Sequence, residues 1–168
     1  MFEIGTYVLY GANGVCKIEG KTTDKIAGEE REYYVLAPVG ITGAAIMVPA
    51  DNQALLAKMK KIISGDEISR LIEAVKKSPL IWENDNKKRN ELFGEILARA
   101  DRKDIMLLIR SILIKKKELA LSGKKLTLSD DNMLKRAEKL INDEFAVALG
   151  IESGAVPDFI REKMSVAE

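Results

Sequence analysis

The pattern of apolar and polar positions along the chain changes its period after about residue 63. Before that point, short runs rich in β-branched and aromatic residues alternate with glycine-containing turns, which is typical of antiparallel β-strands. The Asn13-Gly14 pair predicts a tight hairpin, because both residue types tolerate a positive φ. Such closely spaced short strands predict a small SH3-like or Tudor-like barrel. The predicted strands are residues 7–10, 15–19, 33–36, 44–49 and 58–63.

After residue 63 the apolar positions recur about every 3.6 residues, which is the period of an α-helix. Ser64 and Glu67 have the spacing of a capping box, so the first helix is expected to begin there and to end before Pro79. A second helix is predicted over residues 85–100. The apolar faces of these two helices are predicted to carry Ile68, Leu71, Ile72 and Val75, and Leu92, Phe93, Ile96 and Leu97.

Three more helices are predicted in the remaining sequence. Asp101 is expected to cap the third, which ends near residues 122–123, and Ser129 is expected to cap the fourth. Gly150 is expected to end the fourth helix, and Pro157 is expected to open a short fifth. Their apolar positions are Ile105, Leu108, Ile109 and Ile112; Leu134, Ala137, Ile141, Phe145 and Ala148; and Phe159 and Ile160.

These elements predict an α+β protein with two domains. Residues 1–63 form an N-terminal SH3/Tudor-like antiparallel β-barrel, and residues 64–168 form a C-terminal all-α helical bundle. A chain of 168 residues that is 46% hydrophobic and 32% charged is expected to be globular. No apolar run approaches the roughly 20 residues needed to cross a bilayer, and the first residues do not resemble a secretory signal. We therefore expect a cytoplasmic protein that does not bind membranes.

The composition also limits the chemistry of the chain. Cys16 is the only cysteine and there is no histidine, so we expect neither an internal disulfide nor a zinc site. The alternation around Cys16 indicates a small buried side chain in a strand. Without histidine the chain lacks the commonest general base near neutral pH, so an enzyme would have to use carboxylates or lysines. We expect no catalytic activity and no cofactor or metal.

The net charge of +1 conceals an uneven distribution. Residues 87–125 carry twelve basic and five acidic side chains, a surplus of +7, whereas residues 1–57 sum to −3 and residues 126–168 to −4. A positive block of this kind is typical of a protein with an anionic partner. The alternative is a solvated helical surface with no partner, which charge runs in helical bundles often are.

Trp82, the only tryptophan, stands immediately before this basic block. An exposed indole beside cations could pack against DNA while the cations hold phosphates, although a single tryptophan in a small domain is more often a core residue. The candidate DNA-binding residues are Trp82, Lys87, Lys88, Arg89, Arg110, Lys115, Lys116, Lys117, Lys124 and Lys125.

Five separate parts of the chain together resemble the CarD/CdnL family of bacterial transcription regulators. They are residues 5–15 (GTYVLYGANGV), 33–36 (YYVL), 46–52 (IMVPADN), Trp82 and 137–146 (AEKLINDEFA). The resemblance implies an N-terminal Tudor-like domain, also found in the transcription-repair coupling factor, that docks on the β subunit of RNA polymerase. It further implies a C-terminal helical domain that touches promoter DNA at the upstream edge of the melted bubble.

The resemblance also implies roles for individual residues. Trp82 matches the family's wedge tryptophan, and the cations that follow it match the family's phosphate contacts. The chain differs from the family in having residues 83–85 (Glu-Asn-Asp) where a basic residue is usual, and in a longer stretch over residues 90–101.

Docking on RNA polymerase is expected to involve the strand before residue 50. Met47 occupies a position where the family often has an arginine, but a strand edge can still pair through its backbone. The candidate polymerase-binding residues are Lys25, Ala45, Ile46, Met47, Val48 and Pro49.

The sequence therefore predicts a monomeric, non-catalytic transcription regulator, nucleoid-associated through RNA polymerase. It is expected to dock on the RNA polymerase β subunit and to stabilise the promoter open complex by weak, sequence-independent DNA contact. A Tudor-like protein-binding adaptor with no nucleic-acid role is the alternative from another class, and an enzyme with an unrecognised pocket comes third.

Overall fold

The computed structural model describes residues 2–165. The chain forms two compact units, Met1–Ile63 and Ser64–Glu168. The α+β prediction is confirmed, because the first unit contains a five-stranded antiparallel sheet and the second is helical. Within residues 2–165, no helix combines the length and the apolar character that a membrane span requires.

The sheet of the first unit has the strand order β4-β3-β2-β1-β5, with every neighbouring pair antiparallel. A single-turn helix, α1 (Gln53–Leu56), which the sequence pattern did not predict, precedes the last strand and is capped by the Asn52 side chain. The strands are β1 (Tyr7–Tyr10), β2 (Val15–Ile26), β3 (Glu29–Pro38), β4 (Ile46–Pro49) and β5 (Met59–Lys61).

The hairpin of β2 and β3 is much longer than predicted. Residues 21–32 are exposed on both faces of the hairpin, so they lack the apolar alternation by which a strand is recognised in sequence. Cross-strand ion pairs accompany the backbone ladder there, including Lys21 with Glu32 at 3.2 Å. This contact with Glu32 raises the pKa of Lys21.

The turns also differ in detail from the prediction. Asn13 lies in a short 3₁₀ turn, Gly11–Asn13, and it is Gly11 and Gly14 that have positive φ. The connection between β1 and β2 is therefore longer than a two-residue hairpin turn. Between β2 and β3, Ala27 and Gly28 both have positive φ (55° and 86°), as a type I′ turn requires.

All five strands contribute to one core, so the sheet must curl around it. The two edge strands supply Val48 and Met59 to the same cluster as the central strands. Cys16 is fully buried there, as expected, and burial raises the pKa of its thiol. The buried members of the cluster are Val8, Cys16, Ile18, Tyr34, Leu36, Val48 and Met59.

A β-bulge in β2 marks the end of this core. The pairing shifts from Ile18↔Leu36 to Gly20↔Val35, so that Glu19 has no partner residue in β3. Because side chains alternate between faces, the extra residue transfers the core-facing side of β2 from even to odd positions. Lys21 consequently pairs with Tyr34, and its ammonium lies 4.9 Å from the centre of the Tyr34 ring.

The second unit contains five α-helices and one 3₁₀ turn, Ser153–Ala155, within the described residues. Ser64 and Asp101 cap helices as predicted, each accepting a hydrogen bond from the backbone N–H three residues later. Gly150 ends α5 with a φ of 67°, also as predicted. The helices are α2 (Gly65–Lys77), α3 (Asn86–Arg99), α4 (Arg102–Leu121), α5 (Leu128–Leu149) and α6 (Val156–Lys163).

The predicted cap of the fourth helix is wrong by two residues. The Thr127 side chain accepts the N–H of Asp130 and caps α5, whereas Ser129 lies in the first turn and donates its hydroxyl hydrogen to Asn90 Oδ1 at 2.7 Å. Both residues are good N-caps, so the sequence alone does not decide between them. The helices enclose a core that includes Ile68, Phe93, Ile105, Met106, Leu108, Ile109, Ile112, Ile141, Phe145 and Ile160.

Candidate functional site

Trp82 lies in the irregular segment between α2 and α3, and its indole is only partly buried. The fully buried Phe93 packs edge-to-face against it, with ring centroids 5.9 Å apart and an interplanar angle of 64°. Two cations lie over the indole: the Arg89 guanidinium at 4.5 Å and the Lys115 ammonium at 5.4 Å from the ring centre. The indole is therefore supported by the core while keeping an accessible surface.

A shallow cleft of about 100 Å³ adjoins the indole. Leu80, two residues before Trp82, is 42% exposed, so two large apolar side chains stand close to each other at the surface. Individual exposed apolar side chains are common on protein surfaces, so what distinguishes this cleft is that the two apolar side chains lie together beside the Lys115 ammonium. The cleft is lined by Leu80, Trp82, Ser111, Ile114, Lys115 and Glu118.

Arg89 has a different role from the one expected of it. It is only 4% exposed, and Asp130 holds its guanidinium by two hydrogen bonds of 2.9 and 2.7 Å. It also donates to the backbone carbonyl of Glu83 at 2.9 Å. A guanidinium committed in this way is not available to a phosphate, so Arg89 is corrected from a DNA contact to an internal support of the Trp82 segment.

The other predicted cations are distributed over several surfaces of the second unit. Lys115 is partly exposed and lies 3.6 Å from Glu118, and Arg110 is partly buried with its Nε lacking a hydrogen-bond partner. Successive helical residues are rotated by about 100°, so Lys117 lies on nearly the opposite side of α4 from Lys115. The structure therefore brings Lys115 to Trp82 and does not gather the whole basic block on one face. Of the predicted DNA-binding cations, the exposed ones are Lys87, Lys88, Lys116, Lys117, Lys124 and Lys125.

Three residues at the site were not predicted from the sequence. Leu80 carried a signal, since it is a large apolar residue in a proline-containing segment with no helical periodicity. Ser111 follows Arg110 in the largely apolar stretch of α4, and its buried hydroxyl accepts the N–H of Ile81 in the Trp82 segment. Asp130 lies in the first turn of α5, where an acidic residue is ordinary, and its carboxylate neutralises a buried arginine 41 residues earlier in the chain.

The predicted polymerase-binding strand, β4, is an edge of the sheet in the first unit. The Ala50 N–H donates to the Glu32 carbonyl, which sets the alternation of hydrogen-bonded pairs along β3 and β4. By that alternation the N–H and C=O of Met47 point away from β3, toward the free edge. The Met47 side chain is 42% exposed, so both its backbone and its side chain are available to a partner.

The other predicted residues of this strand differ in accessibility. Val48 is fully buried in the core, so its side chain is corrected from a polymerase contact to a core residue. Ile46 is partly buried and packs against the same core, and the Pro49 carbonyl accepts the N–H of Asn52. Ala45 is exposed just before the strand.

Lys25 lies on the exposed part of the β2–β3 hairpin, where it pairs with Glu30 at 3.7 Å. Glu30 and Val35, the partner of Met47, are five positions apart along β3, so Lys25 is about 17 Å along the sheet from Met47. The opposite edge strand, β5, carries the exposed Lys60, and charged side chains of this kind discourage edge pairing. Of the two edges, β4 is thus the one suited to strand addition.

The first unit is thus a small curled sheet with one unprotected edge, a form typical of protein-docking domains. Residues 2–63 match the family model described as the CarD-like/TRCF RID domain. Domains of this family interact in general with the β subunit of RNA polymerase. The match confirms the predicted resemblance for the first unit, and it does not extend into the helical unit that carries Trp82.

Proposed function

We propose that this protein is a transcription regulator without catalytic activity that docks on the RNA polymerase β subunit and stabilises the promoter open complex. Docking would use the free edge of β4, and Trp82 would contact DNA at the upstream edge of the bubble. The observation that carries the proposal is the partly exposed indole, which rests on Phe93 and has two cations over its ring.

An indole supported in this way suits a distorted minor groove. Apolar side chains that insert where a duplex is kinked or unstacked gain contact area there that intact B-DNA does not offer. Leu80 extends the apolar surface, since it lines the same cleft as Trp82. A contact made with the melted junction, and not with the closed duplex, stabilises the open state by the difference between the two.

The exposed lysines would add affinity without reading sequence. Phosphate contacts position a protein on DNA and carry no direct base information. Because these lysines are spread over several surfaces, DNA binding by the protein alone is expected to be weak and sensitive to salt. Docking through β4 would raise the local concentration of the helical unit at the promoter and make this weak contact effective.

The proposal is tested by measuring the half-life of open complexes formed by RNA polymerase with wild-type protein and with Trp82→Ala. Loss of an aromatic contact worth about 1–3 kcal/mol should shorten the half-life at least about fivefold. Leu140→Ala, which removes another exposed apolar side chain of the second unit, is the matched control and should leave the half-life unchanged.

The same variants must still bind RNA polymerase and retain their helical circular dichroism. A folded, docked Trp82→Ala protein that sustains the wild-type half-life would contradict the proposal. A variant that unfolds would show instead that Trp82 acts as a core residue.

A second candidate function is a protein-binding adaptor with no nucleic-acid role. The internal use of Arg89 and the pairing of Lys115 with Glu118 favour it, because both reduce the cationic surface near Trp82. Retention on promoter DNA in the absence of RNA polymerase, measured at low salt, separates the two functions, since an adaptor would not be retained.

A further inference from the structure

The segment that carries Trp82 is fixed to the helical core immediately before the indole. The N–H of Ile81 donates to Ser111 Oγ at 2.9 Å. Ser111 is 1% exposed, and its own hydroxyl donates to the Leu107 carbonyl of α4 at 2.7 Å. The serine thus uses both its donor and an acceptor site, and the backbone preceding Trp82 is tied to one point on α4.

A second attachment follows the indole. Arg89 Nη1 of α3 donates to the carbonyl of Glu83 at 2.9 Å and to that of Asn84 at 3.4 Å. The same guanidinium lies 4.5 Å from the centre of the Trp82 ring. Arg89 therefore holds the backbone after Trp82 and also limits where the ring can lie.

Arg89 is in turn fixed by α5. Its Nε and Nη2 donate to the two carboxylate oxygens of Asp130, and both side chains are only 5% exposed. Nη2 also donates to Asn86 Oδ1 at 2.8 Å. Side chains from α3 and α4 therefore hold a segment that has no regular secondary structure of its own, and a side chain from α5 fixes the α3 side chain that does so.

This arrangement is not explained by stability alone. A buried ion pair often contributes no more to stability than apolar residues of similar volume would. What such a pair does provide is a single geometry, because two parallel hydrogen bonds fix both the distance and the orientation of the partners. An indole already held in its bound orientation loses less conformational entropy when it binds.

We infer that Ser111, Arg89 and Asp130 are positioning residues that preset the Trp82 indole for its partner. The inference rests on the proposed function for the identity of that partner, promoter DNA. The hydrogen bonds on either side of Trp82 hold it, and none of the three residues is required to touch the DNA. They act together as one support, which we call the indole support.

The single tryptophan of the 168-residue chain makes the inference directly testable, because fluorescence excited beyond the tyrosine absorption band reports on Trp82 alone. Two variants remove the indole support in different ways: Ser111→Ala, and the double variant Arg89→Met with Asp130→Leu. The double variant replaces the buried pair with apolar residues, so the fold is expected to survive. In both variants, acrylamide should quench Trp82 more strongly than in wild type, and its fluorescence anisotropy should fall.

Two matched controls distinguish positioning from a general loss of structure. Ser69→Ala removes a serine hydroxyl that likewise donates to the carbonyl four residues earlier, but from an exposed position. Asp131→Asn removes the neighbouring carboxylate, which pairs with Lys135 at 3.0 Å. Both controls should leave the quenching and anisotropy of Trp82 at wild-type values.

The functional measurement is the open-complex half-life with each variant. Releasing the indole should shorten it about two- to tenfold, the factor that corresponds to the cost of ordering a side chain on binding. Folded variants in which the quenching and anisotropy of Trp82 do not change would overturn the inference. The inference would also be overturned if Trp82→Ala shortens the half-life but variants that mobilise Trp82 do not.

Failure of the proposed function gives a different result. In that case Trp82→Ala itself leaves the half-life unchanged, whereas the fluorescence of the variants still decides whether the three residues position the indole. Should Ser111→Ala fail to fold, the double variant provides the same two measurements.

Discussion

At the scale of single residues, a basic side chain contributes to nucleic-acid binding only if its charge reaches solvent. Arg89 and Lys88 are neighbours in sequence, yet Lys88 is exposed and Arg89 is buried against Asp130. The net charge of the segment therefore overstates its cationic surface. The burial of Arg89 depends on the Asp130 carboxylate, which is 41 residues away in the sequence. No local pattern around Arg89 could therefore have predicted it.

The burial of this pair predicts an asymmetric response to substitution. Asp130→Ala leaves the Arg89 guanidinium buried without a counter-charge, which should lower the free energy of unfolding by about 3–5 kcal/mol. Urea denaturation followed by helical circular dichroism measures the loss. Asp131→Ala, which removes a partly exposed ion pair on the same turn, should cost only about 0.5 kcal/mol. An equal decrease in the free energy of unfolding for the two variants would show that burial does not make the Arg89–Asp130 pair more sensitive to the loss of its carboxylate.

At the scale of elements, the sequence predicted the ends of helices more accurately than the lengths of strands. Ser64 and Asp101 were identifiable because each is a good N-cap placed just before an apolar periodic run. The outer parts of β2 and β3 could not be identified in the sequence, because a hairpin that is exposed on both faces has no apolar pattern. The Thr127 cap was missed because two suitable caps stand two residues apart.

The end of α3 predicts a stabilising substitution. Ala100 caps this helix in the left-handed region, with a φ of 54°, where an alanine side chain is strained by about 1–2 kcal/mol. Ala100→Gly should therefore raise the free energy of unfolding by about 0.5–1 kcal/mol once the greater freedom of glycine in the unfolded chain is subtracted.

Thermal unfolding of Ala98→Gly provides the opposite control. Ala98 lies in the last turn of the same helix, where glycine costs up to about 1 kcal/mol relative to alanine. The two substitutions, two residues apart, should move the midpoint in opposite directions. A destabilised Ala100→Gly protein would mean that the strain at this cap is relieved in solution.

The free edge of β4 predicts how docking is lost. Met47→Glu places a charge on an exposed position of the unprotected edge, so co-purification with the RNA polymerase β subunit should fall at least about tenfold, the factor for about 1.4 kcal/mol. Retention on DNA should not change. The control is Lys60→Glu on the opposite edge strand, and weakened docking there as well would argue against β4 as the specific edge.

At the scale of the whole molecule, the α+β class followed from the change of hydrophobic period alone. The candidate site could not be predicted in this way, because its geometry depends on three helices. Ser111 of α4 and Arg89 of α3 bond the Trp82 segment, and Asp130 of α5 holds Arg89. In the sequence, Ser111 is only a small polar residue next to Arg110 in a largely apolar run, and nothing there connects it with Trp82. Trp82 itself was identifiable as a candidate, and its contact with DNA stays a prediction.

The distribution of exposed lysines predicts the salt dependence of DNA binding by the protein. The logarithm of the association constant should fall linearly with the logarithm of salt concentration, as counterions are released from the DNA. Replacing both Lys87 and Lys88 with glutamine should reduce the slope by about two if each neutralises a phosphate. Fluorescence anisotropy of a labelled duplex measures this, and an unchanged slope would identify these lysines as a solvated surface.

The bulge at Glu19 has a consequence for the evolution of the first unit. Removing that one residue would restore regular pairing without changing the partners of residues 20–26, because Gly20 already lies opposite Val35 and Lys21 opposite Tyr34. The Lys21 ammonium would stay over the Tyr34 ring, and only the local bend and the extra twist that a bulge gives to its strand would be lost. Deletion of residue 19 is thus expected to be tolerated with the cross-strand pairs intact, and related sequences should vary in length at this position more readily than elsewhere along the strand.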